Sequence, residues 1–151
     1  MGGINVSRWI MAGVAAGVVV WVLEGAASVL YMDDMTAALE AHGIAMEMSA
    51  GILVASVFVS LIGGLALMFF YAAARPRFGP GPRTAALVAV FFWAGGYLLS
   101  LIGYGMLGLY PTRMLVMWAV IGLVEMIIAA IVGAWVYREE ARSPAPVAAQ
   151  A

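Results

Sequence analysis

Residues 112–137 read TRMLVMWAVIGLVEMIIAAIVGAWVY, and beyond Arg113 the only charged side chain in that run is Glu125. A helix rises about 1.5 Å per residue and needs about 20 mostly apolar residues to cross ~30 Å of hydrocarbon, so this stretch is long enough for one crossing. An ionised side chain at the centre of a bilayer costs roughly 2.5–3.5 kcal/mol on insertion scales. Glu125 is therefore expected to be paired, protonated or used. Three earlier segments meet the same length requirement, from Trp9 to Tyr31, Gly51 to Ala74 and Thr84 to Leu109, and the first carries a second carboxylate, Glu24.

Composition agrees with the segment pattern. Of 151 residues 66% are hydrophobic and 10% charged, against roughly 45–50% apolar and ~25% charged in a soluble domain. The expected fold is all-α, an integral membrane bundle of four transmembrane helices forming one domain over residues 1–142. A Pro/Ala-rich tail, 143–151, lacks apolar periodicity and is expected to be disordered. Asp33 and Asp34 end the first helix, the Pro/Gly-dense stretch from Arg75 to Arg83 separates the second from the third, and Pro111 divides the third from the fourth.

Four alternating helices place Arg8, Arg75, Arg77, Arg83, Arg138 and Arg142 on one side and Asp33, Asp34, Glu40 and Glu47 on the other. The positive-inside rule then puts both termini in the cytoplasm, with Arg113 as the outer exception. Trp9, Tyr31, Tyr110, Trp135 and Tyr137 fall near the membrane faces, as an aromatic belt does. A competing reading takes residues 1–27 as a secretory signal ending at Gly25-Ala26-Ala27; Glu24 and the apolar continuation through Val29 and Leu30 favour an uncleaved helix.

Lipid supplies little hydrophobic force between helices, so small residues and interhelical hydrogen bonds have to hold the bundle. Gly13 and Gly17 form a GxxxG, Ser56, Ser60 and Gly64 a stripe in the second helix, and Ala129 with Gly133 another in the fourth. Polar residues also recur at helical spacing: Gly17, Trp21, Glu24, Ser28 and Tyr31 in the first helix, and Trp93, Tyr97, Ser100 and Tyr104 in the third. Turned inward with Ser56 and Ser60, these seams would give Glu24 and Glu125 hydroxyl partners. Should the two acids meet, repulsion and burial would leave them sharing a proton.

Three functional readings follow, none of them enzymatic. In the first, Glu24 and Glu125 load and release a proton or cation, with Ser28, Tyr97, Ser100 and Tyr104 as relay groups; otherwise they are neutral and join helices by hydrogen bonds. A glutamate in the first of four short helices is shared with small multidrug transporters, and the likeness stops there. In the second, the thioethers of Met32, Met35, Met46 and Met48 with His42, the only histidine, offer Cu(I) a soft site on the outer face. Against it, Met is an adaptable filler and Thr36 to His42 reads as a short amphipathic helix capped by Asp34 and stopped at Gly43. In the third, the chain is an accessory or scaffold protein that associates through its small-residue faces, as a homo-oligomer or in a larger membrane complex. Arg75, Arg77 and Arg83 suit anionic lipid head groups.

Several chemistries are disfavoured. A net charge of −1 with no basic block gives nucleic acid no footing. The absence of cysteine removes disulfides and thiolate sites. No GxSxG, HExxH or phosphate-cradling loop is present, and Gly79-x-Gly81 lies between prolines, so no catalytic residue or cofactor is expected.

The turn from Tyr71 to Ala85, with its Arg-Pro-Arg-Phe-Gly-Pro-Gly-Pro-Arg core, resembles that of small bacterial inner-membrane proteins with four predicted helices. So do the Gly133-Ala-Trp-Val-Tyr-Arg-Glu139 end, the Ile4-Asn5-Val6 start and Tyr110-Pro111-Thr112-Arg113. The resemblance implies a four-helix bacterial inner-membrane protein; that group is uncharacterised, so it assigns no activity and no site residue.

Overall fold

The computed structural model describes residues 4–137; the Arg138 and Arg142 placements and the 143–151 tail lie outside them. The chain is all-helical among those residues, with α1 (Val6–Ser28), α2 (Met32–Glu40), α3 (Ala50–Phe78), α4 (Pro82–Met106) and α5 (Thr112–Val136). All but α2 are long and apolar enough to cross a membrane, which makes this a multi-pass membrane protein.

Local chemistry sets the boundaries. The Asn5 side chain accepts from the Arg8 N–H at 3.1 Å and that of Ser49 from Ile52 at 3.3 Å, so α1 and α3 start on side-chain caps. Pro82 opens α4, where its missing N–H costs nothing, and Pro111 precedes α5. Gly43 (φ 73°) and Gly108 (φ 68°) take the left-handed conformation that ends α2 and α4.

Two expectations are corrected. The second crossing does not end at Ala74: α3 continues through Pro76 to Phe78. Proline removes one N–H, and so close to a helix end one lost bond does not stop the winding; Gly79, in the left-handed region at φ 83°, does. The short helix begins at Met32 rather than behind an Asp34 cap. Asp33 and Asp34 lie in its first turn, where the helix dipole favours carboxylates.

The crossing of α1 and α3 is the tightest in the bundle. A Cβ on Gly64 would stand 2.3 Å from the Gly13 carbonyl oxygen and the Gly17 nitrogen, so the two backbones touch. Gly133 of α5 receives the Met68 side chain in the same way. Two side-chain hydrogen bonds fasten α1 to α3, from Trp9 Nε1 to the Leu65 carbonyl at 2.8 Å and from Trp21 Nε1 to Ser56 Oγ at 3.0 Å. The predicted small-residue faces are thus occupied by the chain's own helices.

Two apolar clusters result. The larger joins Ala12, Ala16, Leu67, Met68, Tyr71, Ala85, Ala89, Ala129, Ala130 and Tyr137, in the half of the bundle holding the α3–α4 turn. The smaller, at the α2 end, joins Tyr31, Leu101, Met114 and Trp118. Large apolar side chains such as Phe58, Val59, Ile62 and Phe91 face outward, an arrangement suited to lipid.

Candidate functional site

Between the two clusters lie the two acids. Glu125 follows Trp118 and precedes Ala129 on α5 and is only 6% exposed; Glu24 follows Ala16 and precedes Tyr31 on the α1 side and is half-buried. The Glu24 and Glu125 side chains are neighbours, close enough to interact directly. Neither makes an ion pair among the described residues. Arg113, twelve residues ahead of Glu125 on the same helix, is separated from it by about 18 Å of helix axis.

Tyrosine, not serine, supplies the hydroxyls. The Tyr31 hydroxyl donates to Glu24 Oε1. Burial first, and the Glu24 carboxyl second, push the Tyr31 hydroxyl pKa upward, so this residue, just beyond the first span, stays a proton donor. Tyr97 lies within electrostatic reach of both acids, and its ring covers Gly122, where a Cβ would come within 2.6 Å of it. Ser28 and Ser100 instead donate to carbonyls of their own helices, Gly25 at 2.8 Å and Gly96 at 2.9 Å. Ser56 donates to the Leu53 carbonyl. The predicted serine relay is therefore not assembled around the acids.

A break in helical period explains the change. Residues Trp93–Leu98 of α4 form a π-helical turn containing Gly95 and Gly96. Inward positions then fall four apart at Ala85, Ala89, Trp93, Tyr97 and Leu101. In an unbroken α-helix each such step over-rotates by about 40°, and the wider π turn takes up the drift. Leu101, 5% exposed, holds the inner position that constant α-helical spacing gave to Ser100. Tyr104 is turned out, 41% exposed, and meets Tyr110 edge-to-face.

Above the acids stands an aromatic stack. Tyr31 meets Trp118 at 5.4 Å between ring centroids, Trp118 meets Tyr110 at 4.8 Å, and Tyr110 meets Tyr104 at 5.8 Å, each edge-to-face. Burial and then Tyr104 push the Tyr110 pKa upward as well. Two buried polar atoms in this region, Trp118 Nε1 and Glu125 Oε1, find no hydrogen-bond partner among the described residues, the neighbouring Glu24 carboxyl aside. Trp118, Tyr110 and the part played by Tyr31 were not read as site features from sequence. The available signal was spacing, since Glu24–Tyr31 and Trp118–Glu125 are both seven apart.

The other sequence candidates lie elsewhere. His42 contacts the Gly108 carbonyl through Nε2 at 3.2 Å, tying the end of α2 to the α4–α5 turn. Met35 joins the aromatic cluster, Met32 and Met46 are half-buried, and Met48 is exposed. No group of three or more His, Asp or Glu residues is placed to hold a metal among the described residues. Arg75 lies over the Tyr137 ring at 5.6 Å, and Arg77 and Arg83 are exposed beside the α3–α4 turn. Compared with protein-family models, with curated proteins and with solved structures, the chain matches none.

Proposed function

We propose that the Glu24–Glu125 pair is a proton-binding site and that the chain is a proton-linked transport component of a bacterial inner membrane, with both termini in the cytoplasm. The observation that carries this reading is that Glu24 and Glu125 are neighbours in the bundle interior and that neither makes an ion pair among the described residues. Two carboxyl groups hydrogen-bond to each other only when at least one carries a proton. Two negative charges side by side in a low-dielectric interior repel strongly, and among the described residues no Arg pairs with either acid to offset them. A proton, or a small cation in its place, is the natural counter-charge.

Glu125 Oε1 is buried and receives no N–H or hydroxyl donor among the described residues, which leaves the neighbouring Glu24 carboxyl as the group able to share a proton with it. Tyr31 fixes the Glu24 carboxyl, Tyr97 covers the pair from α4, and the aromatic stack separates it from the α2 end.

The test is infrared titration of the full chain reconstituted in lipid vesicles, following the protonated-carboxyl band from acid to alkaline pH. A titrating band is expected, and Glu24→Gln and Glu125→Gln should each remove it while insertion is retained. In the same vesicles a trapped pH dye should report protein-dependent proton movement lost in both variants. No titrating band in the wild type, or one that survives both substitutions, refutes the proposal.

A further inference from the structure

We infer that the groove between α3 and α4 is a binding site for one anionic phospholipid, with an acyl chain along the groove and the head group at the α3–α4 turn. The two helices leave a cavity of about 500 Å³ lined by Phe70, Phe78, Leu87, Phe91, Gly95 and Gly96 among others. From Leu87 to Gly96 the groove extends about 14 Å along α4, close to the depth of one leaflet of a ~30 Å hydrocarbon core. Its walls are aromatic. Its deep end is backbone, because Gly95 and Gly96 are exposed and a Cβ on either would meet nothing within 4 Å.

Charge identifies the occupant. On α4, Arg83 lies one turn of helix ahead of Leu87, at the turn end of the groove. On α3, Phe70, Ala74 and Phe78 form a row, and Arg77 follows Ala74 by three and Phe70 by seven, on the same side. Arg77 and Arg83 are exposed and make no ion pair among the described residues. An apolar slot about one leaflet deep, with two guanidinium groups near its end that make no ion pair among the described residues, fits a lipid with apolar chains and a net negative head group. A zwitterionic lipid would place its own cation against the same arginines.

Native mass spectrometry of the full chain in detergent tests this, with phosphatidylglycerol and phosphatidylcholine of identical chains as probes. One phosphatidylglycerol per chain should be retained, with a preference over phosphatidylcholine on the order of thirtyfold from two arginines. Arg77→Gln with Arg83→Gln should bring the preference near unity while a lipid is still held. Gly96→Leu and, separately, Gly95→Leu fill the slot and should lose the retained lipid without lowering the thermal midpoint. Equal retention of both lipids by the wild type, full preference in the double glutamine variant, or an undiminished lipid adduct in both leucine variants overturns the inference.

Discussion

Replacing Gly64 by alanine tests whether the α1–α3 crossing holds the bundle together. The added methyl would stand 2.3 Å from Gly13 O and Gly17 N and 2.6 Å from Gly17 Cα, all backbone atoms that no rotamer change can move aside. Ordinary contact begins near 3.4 Å, so the helices must part by about 1 Å, and overpacking of this kind costs roughly 1–3 kcal/mol. Parting also loosens the Gly13–Leu65 contact and strains the Trp9–Leu65 hydrogen bond, which places the expected cost toward the upper end of that range. The adjacent residue is the control. A Cβ on Gly63 meets nothing within 4 Å, so Gly63→Ala gains helix propensity, up to about 1 kcal/mol, without a clash. Unfolding of the purified protein, followed by tryptophan fluorescence, should show a clear loss for Gly64→Ala and none for Gly63→Ala. Equal midpoints for the two variants would refute the close-crossing account.

Tyr31 gives a pH signature. Its folded pKa is raised, so above about pH 10, where a free tyrosine ionises, the unfolded chain releases this proton first and stability falls as pH rises. Tyr31→Phe should unfold more easily near neutral pH, by about 1 kcal/mol for the lost hydrogen bond, and decline less steeply above pH 10; parallel wild-type and variant curves would refute it. Topology is tested by fusions: green fluorescent protein at the C-terminus should fluoresce, and alkaline phosphatase inserted after Gly43 should be active. The opposite pattern places the termini outside.

The crossings were legible because lipid demands long apolar runs and because Gly13, Gly17, Gly64, Ala129 and Gly133 mark where backbones can approach. Helix ends were less legible. Proline at position 76 reads as a stop, yet only a left-handed glycine three residues later reverses the chain, since proline withdraws a single hydrogen bond. The groove lining was hidden for a related reason. The groove lies between α3 and α4, and how two helices sit against each other is something no single helical period records.

The acids were visible as chemical anomalies, but their partners depended on register between helices and on one break within a helix. Measured from its own end, Glu24 lies about 6 Å into α1, while Glu125 lies about 20 Å into α5. Depth alone would keep them apart. The contact of Tyr31 with Trp118 removes the difference: Trp118 is about 9 Å inside α5 and Tyr31 lies three residues beyond the end of α1, roughly 5 Å more, so the end of α1 is sunk by about 14 Å relative to that of α5. Seven residues further along each antiparallel helix, the same register brings Glu24 to Glu125. The Tyr31–Trp118 contact is thus the fixed point of the site, and the π turn of α4 adds Tyr97 by rotating it over Gly122. The aromatic contact at one end of the bundle thus sets the carboxyl pairing two turns away.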